Sequence, residues 1–203
     1  MAELVYDTKT ERYESARVEG LPFDKALALL ANNNLSLISG ELNAQLRIAL
    51  GPHAPLSQTG NYITQGILRA SRKDVYLPQA SPVLANAAQA TQAHREGKPF
   101  LLSKQGLEEA REGATRVTRF SIPFNELGDD PAGQHIFGAA AGPYGAFLQT
   151  HLSPRGITTL NIFPPNDTRE ANQLWLSGLV SWSRLDGGNR GLAFDYGVRG
   201  VRR

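Results

Sequence analysis

Apolar residues alternate strictly near the end of the chain, where Leu192, Phe194, Tyr196 and Val198 fall on one face of an extended strand. Upstream, Leu174, Trp175, Leu176, Leu179, Val180 and Trp182 supply a second apolar set, interrupted by Gly178. Asp186-Gly187-Gly188 lies between the two sets. Asp-Gly between apolar runs signals a hairpin, because glycine reaches the positive φ of a tight reversal. The pattern therefore predicts a C-terminal antiparallel sheet on which earlier helices pack.

Those helices are legible in turn. Phe23, Ala26, Leu27 and Leu30 follow helical spacing over 22–31, with Pro22 at the start and Asp24 in the first turn. The Asn32-Asn33-Asn34 run ends that helix, and Leu35–Ile38 is short and extended. Ser39 caps a second helix whose Leu42, Leu46, Ala49 and Leu50 share a face, and Gly51-Pro52 stops it. Residues 52–66 read as a long loop, followed by a small hairpin of Gly66–Arg69 with Val75–Leu77. Ser81-Pro82 opens an alanine-rich helix reaching Gly97, and Ser103 opens another closed by Gly113. Before these, Leu4–Tyr6 reads as a strand and the segment to Gly20 as a turn and tail.

The second half is less regular. Residues 115–122 favour a strand, with Val117 and Phe120 out of phase, as at a bulge or edge. Asp130-Pro131 and Pro143 each begin a helix, and Ile157–Phe163 is a strand ended by Pro164-Pro165. Asp167 and Glu170 have capping-box spacing, which predicts one or two helical turns before the closing sheet. No linker separates domains, so the expectation is one α+β domain over residues 1–203.

Composition adds exclusions. With 41% hydrophobic and 20% charged residues, the 203-residue chain is an ordinary globular protein and not a disordered one. The formal charge is only +2, from 21 Lys+Arg against 19 Asp+Glu, so no global basic excess points to nucleic acid. There is no cysteine, which removes disulfides and thiolate metal sites. No secretory signal or spanning segment is read at the sequence level, so the expected location is cytoplasmic, without a membrane.

Candidate chemistry is sparse. His53, His94, His135 and His151 are scattered without ligand spacing, so no metal and no cofactor is expected. Asp129, Asp130 and His135 are near one another, and Asp130 with His135 is the candidate catalytic pair. Asp130 before Pro131 equally fits a helix N-cap, and the pair lacks a nucleophile and an orienting third group. Gly138–Gly145 lacks the Gly-Lys-Ser/Thr ending of a phosphate loop, and close helix packing explains it better. Arg184, Arg190, Arg199, Arg202 and Arg203 make the C-terminal sheet locally basic among aromatic residues, against Asp186 and Asp195. Trp182, Arg184, Arg190 and Arg199 are the candidate binding residues, with the arginines on an outward face. The rest of the chain offers no second basic patch, so nucleic acid is not an expected partner.

Two ends of the chain carry a resemblance. FDKALALL followed by LSLISGELNAQL, and later LWLSGLVSWS, NRGLAF and YGVRGVRR, resemble the entry helices and closing strands of C-type-lectin-like domains of the bacterial type. The resemblance implies a fold used mostly for ligand display, adhesion or protein binding, and transfers no functional residue. The expectation is then a non-catalytic module binding a protein or a small ligand. Its rivals are a small hydrolase or transferase using Asp130 and His135 with Arg155 or Arg190 as anion clamp, and a nucleic-acid binder working through the arginine face.

Overall fold

The computed structural model describes residues 3–180, 183–188, 191–193 and 197–202, and in them the chain is α+β. It runs β1 (Glu3–Lys9), β2 (Glu14–Glu19), α1 (Phe23–Asn32), β3 (Ser36–Leu37), α2 (Gly40–Leu50) and α3 (Pro55–Gln58). Next come β4 (Asn61–Arg69), β5 (Val75–Leu77), α4 (Pro82–Ala85), α5 (Ala87–Arg95) and α6 (Lys104–Arg111). The rest is β6 (Thr115–Arg116), β7 (Ser121–Pro123), α7 (Pro131–Phe137), α8 (Ala141–Leu152), β8 (Thr159–Phe163), β9 (Ala171–Leu176), β10 (Arg184–Asp186) and β11 (Val198–Arg202). Capping works as the residue types dictate. The Ser39, Ser81 and Ser103 hydroxyls accept from Leu42, Leu84 and Gly106 N–H, each satisfying a donor the helix leaves unpaired. No helix among the described residues is long and apolar enough to cross a membrane.

One sheet joins the first strand to the last, in the order β1-β2-β11-β4-β9-β10-β8-β7. It is mixed: β11 lies parallel to β4 and β10 parallel to β8, while the other pairs along this path are antiparallel. One face carries Leu174, Leu176, Leu185, Leu160, Ile162 and Ile122 and is covered by α2, α7 and α8. The opposite face carries a row in paired register across the sheet, Leu4, Val18, Val198, Tyr62, Trp175, Asp186 and Phe163. Helix α1 covers part of that row, with Phe23 packed edge-on to Tyr62 at 5.1 Å between ring centroids. Along the row toward β8 exposure rises, from buried Asp186 on β10 to Phe163, which is 46% exposed. This change from covered to open face positions the candidate site.

Several expectations are corrected. The closing hairpin does not turn at Asp186-Gly187-Gly188. The chain reverses between β9 and β10, where Ser177 and Arg184 exchange hydrogen bonds, and Asp186 ends β10 by accepting from Gly188 N–H at 2.9 Å. Leu192 is buried but lies in a turn, whereas Val198 begins the last strand, and Phe194 and Tyr196 lie outside the described residues. The sheet draws strands from the whole chain, including β2 and the first half of β4, both read from sequence as irregular. Strand β4 bulges at residues 63–65 opposite β9, and the buried Gln173 amide bridges the gap by donating to Ile63 O and Gln65 O. The alanine-rich helix breaks at Asn86 into α4 and α5. Glu170 caps a turn by accepting from Asn166 N–H and Asp167 N–H, so no helix precedes β9. The glycine run before and within α8 is a close-packing device: a Cβ on Gly145 would collide with the Phe124 carbonyl.

Candidate functional site

Asp130 and His135 are engaged with different partners. Asp130 is buried and caps α7, its Oδ1 accepting from Ala132 N–H at 2.9 Å and Gly133 N–H at 3.3 Å. Its Oδ2 takes Arg119 at 3.0 Å, so the carboxylate is spent on structure. His135 instead shares a 3.0 Å hydrogen bond with Thr115 and lines a cleft of about 750 Å³ together with residues of β4 and β6. Arg155, the proposed anion clamp, donates to the Leu179 carbonyl at 2.9 Å and to that of Val180. Among the described residues, no group of three or more His, Asp or Glu is arranged to hold a metal ion.

The arginines divide just as sharply. Arg199 does not face outward: it is wholly buried, forked onto Asp7, with one amino group 3.0 Å from Ser15 Oγ and the other 2.7 Å from Asp7 Oδ2. Its position on β11 turns it to the face opposite Val198, where β1 bulges at Asp7 to meet it. Arg202 pairs with Glu14 and lies 5.6 Å over the Tyr6 ring. Arg190, Arg203 and Trp182 lie outside the described residues. Among the described residues the arginines do not form an outward stripe, because Arg199 is a core residue.

Arg184 is a binding candidate that reaches the surface, with its side chain 21% exposed. Its guanidinium carbon lies 5.9 Å from the Phe163 ring centroid and 6.0 Å from that of Trp175, with Asp186 Oδ2 3.8 Å from its Nε. Sequence spacing did not single out Phe163 or Trp175 for this role, because β10 inserts between β8 and β9 and the three side chains meet only through that pairing. Trp175 is fixed from below by Gly60, where any Cβ would fall inside the indole. A Gly60→Ala substitution therefore displaces the ring.

Backbone anchors surround this face. Between β9 and β10, Leu179 N–H donates to Ser57 O at 2.7 Å, and buried Arg47 donates to Ser177 O at 2.9 Å. Between β10 and β11, Gly187 N–H donates to Phe163 O, Leu192 N–H donates to His94 Nδ1 at 3.0 Å, and Leu192 O accepts from Phe23 N–H. Val180, 52% exposed, leaves the first of these segments toward solvent. In sequence, Trp182 and Arg190 belong to the same two segments.

His94 and His135 give the protein an acid limit. Burial pushes both imidazoles below the ordinary value of 6.5, opposed at His94 by Glu170 and Asn172 and at His135 by the Pro78 backbone. The unfolded chain titrates at the ordinary value, so between there and the folded values the unfolded state binds more protons. Stability is then complete above about pH 6.5 and falls below it, by up to about 1.4 kcal/mol per pH unit for each histidine. Urea melts between pH 7.5 and 5 should show this slope, and a His94→Asn/His135→Asn variant should flatten it. Asn at 94 keeps an acceptor for Leu192 N–H, which separates titration from loss of the anchor.

No protein-family model matches the chain, and no curated protein is similar to it. Among solved structures, a C-type lectin fold described as accommodating massive sequence variation in Nanoarchaeota superposes with a TM-score of 0.63. The alignment covers 95% of this chain and 98% of that one, at 10% sequence identity. The chain thus takes the C-type lectin fold.

Proposed function

We propose that this protein is a non-catalytic binding module that engages a protein partner through the uncovered end of its sheet, centred on Phe163, Trp175 and Arg184. The observation that carries this reading is an arginine set between two aromatic rings on the open part of a rigid sheet. Aromatic and arginine side chains are enriched at interface hot spots, the rings because they bury large area with few rotatable bonds and arginine because its planar fork stacks and hydrogen-bonds at once. Trp182 and Arg190, in the adjoining segments, extend the same composition. Arg199 is omitted, since a wholly buried side chain cannot contact a partner.

The likeness to the nanoarchaeal protein supports a division of labour. That fold is described as accommodating massive sequence variation. Here the anchors on Leu179, Gly187 and Leu192 are backbone groups, so side chains of the two segments can change without loss of those bonds. That arrangement supports variable recognition by the exposed positions on a fixed scaffold.

The test uses a partner captured on immobilised protein and then titrated against purified variants. Phe163→Ala and Arg184→Ala should each weaken it by about 30-fold, the effect of a 2 kcal/mol hot spot, with little change in Tm. Equal affinity for wild type and both variants would remove this face from the function. The hydrolytic alternative predicts something else, an ester or phosphoester turnover abolished by His135→Ala. Finding such turnover would replace the binding reading.

A further inference from the structure

A second feature is independent of the aromatic–arginine face: the 750 Å³ cleft between the β4 bulge, the segment after β5, β6 and α7. We propose that this cleft is a binding site for an uncharged, amide-bearing ligand. Its volume falls within the range of small-molecule sites. None of its lining residues is Asp, Glu, Lys or Arg. His135 does not change that, because it is a half-buried imidazole engaged with Thr115. A charged ligand entering here loses water and meets no counter-charge, so the lining selects a neutral one.

Three glutamines define the hydrogen-bonding sense of the cleft. Gln65 is tied by its oxygen, which accepts from Gly40 N–H at 2.9 Å and from the Thr64 hydroxyl at 3.2 Å. Gln79 and Gln134 are tied by their nitrogens, which donate to Gly113 O at 2.7 Å and Gly128 O at 2.8 Å. A backbone N–H only donates and a backbone carbonyl only accepts, so none of these amides can flip without losing its bond. The ends left over are one amide NH₂, from Gln65, and two carbonyl oxygens, from Gln79 and Gln134. A carboxamide or peptide unit is the complement: its carbonyl accepts from Gln65 and its N–H groups donate to the other two. Hydroxyls of Thr64, Ser81 and Thr115 also line the cleft but are already bonded to Gln65, Gln173 and His135, and the remaining wall is Leu84, Ala80, Ala85 and Pro131, which suits short alkyl substituents flanking an amide. A polyol, with a hydroxyl on every carbon, would leave donors unpaired against that wall.

Side-chain amide resonances in a nitrogen–proton correlation spectrum read this directly. The neutral probe is N-acetylalanine methylamide, compared with the N-acetylalanine anion and with glucose. The capped amide should shift the Gln65, Gln79 and Gln134 NH₂ signals saturably, with a Kd of about 1 mM. The anion should bind at least about tenfold more weakly, and glucose should not saturate. Gln134 is on the exposed side of α7, so Gln134→Glu should keep the backbone spectrum while weakening the amide by at least about tenfold. A capped penta-alanine separates the two sources of this chemistry: tighter binding than the single unit indicates a peptide segment, and equal binding a small amide. No saturable shift, an equal response to the anion or glucose, or full affinity in Gln134→Glu would each overturn the proposal. Because Arg184→Ala leaves this cleft untouched, failure here is distinguishable from failure of the proposed interface.

Discussion

Asp7→Ala should lower the stability of the fold by about 3–5 kcal/mol, the cost of stripping a buried cation of its partner. Arg199 is wholly buried, cannot shed its charge, and spends both amino groups on the Asp7 carboxylate, with Ser15 as the remaining acceptor. Removing the carboxylate leaves the guanidinium in the interior with a single neutral hydroxyl. For a chain of this length the loss corresponds to a fall in Tm of about 10 °C. Replacing the whole pair by apolar residues, Asp7→Leu with Arg199→Met, should recover most of it, because no charge is then left stranded. Thermal melts of the two variants decide the matter. If the single and the double variant lose equally, the pair contributes by shape and contact, and the charge argument is wrong.

That pair also marks the limit of what the sequence discloses. The arginines near the C-terminus are visible as a local excess of charge, and an alternating pattern assigns them to an outward face. Arg199 instead turns into the core because the first strand bulges to bring Asp7 beneath it. A contact spanning nearly the whole chain leaves no local trace. Short-range features fared differently. Pro22, Ser39, Ser103 and Asp130 mark helix starts by themselves, since a cap is satisfied within three residues. Helix α1 was readable from four apolar positions because its covered face is a single stripe.

Sheet order was hidden for the same reason as Arg199. Strand β4 carries a bulge over 63–65 and is surrounded by glycine and proline, so alternation fails where pairing persists. The side chain that repairs the ladder, Gln173, comes from another strand. The candidate face was half legible. Arg184 was nominated on composition, but Phe163 and Trp175 join it only through the parallel pairing of β8 with β10 and the antiparallel pairing of β9 with β10. The cap reading of Asp130 was legible on chemistry alone, because Asp before Pro131 has the form of an N-cap and that cap forms.

Arg47→Ala is expected to cost a similar amount, about 3–5 kcal/mol, and to loosen the segment that borders the proposed interface. Arg47 is fully buried in the last turn of α2, where the helix dipole favours a cation. It donates to the Tyr144 hydroxyl and to Ser177 O, both at 2.9 Å, and to Thr59 O at 3.3 Å. All three partners are uncharged, so the side chain acts as a rigid fork joining α8, the end of the 51–60 segment and the start of the β9–β10 connection. Truncation removes the charged donor from those acceptors and opens a void beside Tyr144. Arg47→Met refills most of the volume but restores no donor, and should therefore recover roughly half of the loss. Hydrogen exchange adds a local readout. The amides of Leu179 and Arg184, whose bonds frame the Ser177 turn, should exchange faster in both variants, while those of α1 change little. A loss below about 1 kcal/mol in Arg47→Ala, or exchange at Leu179 and Arg184 unchanged in both variants, would show that Arg47 does not hold this segment in place.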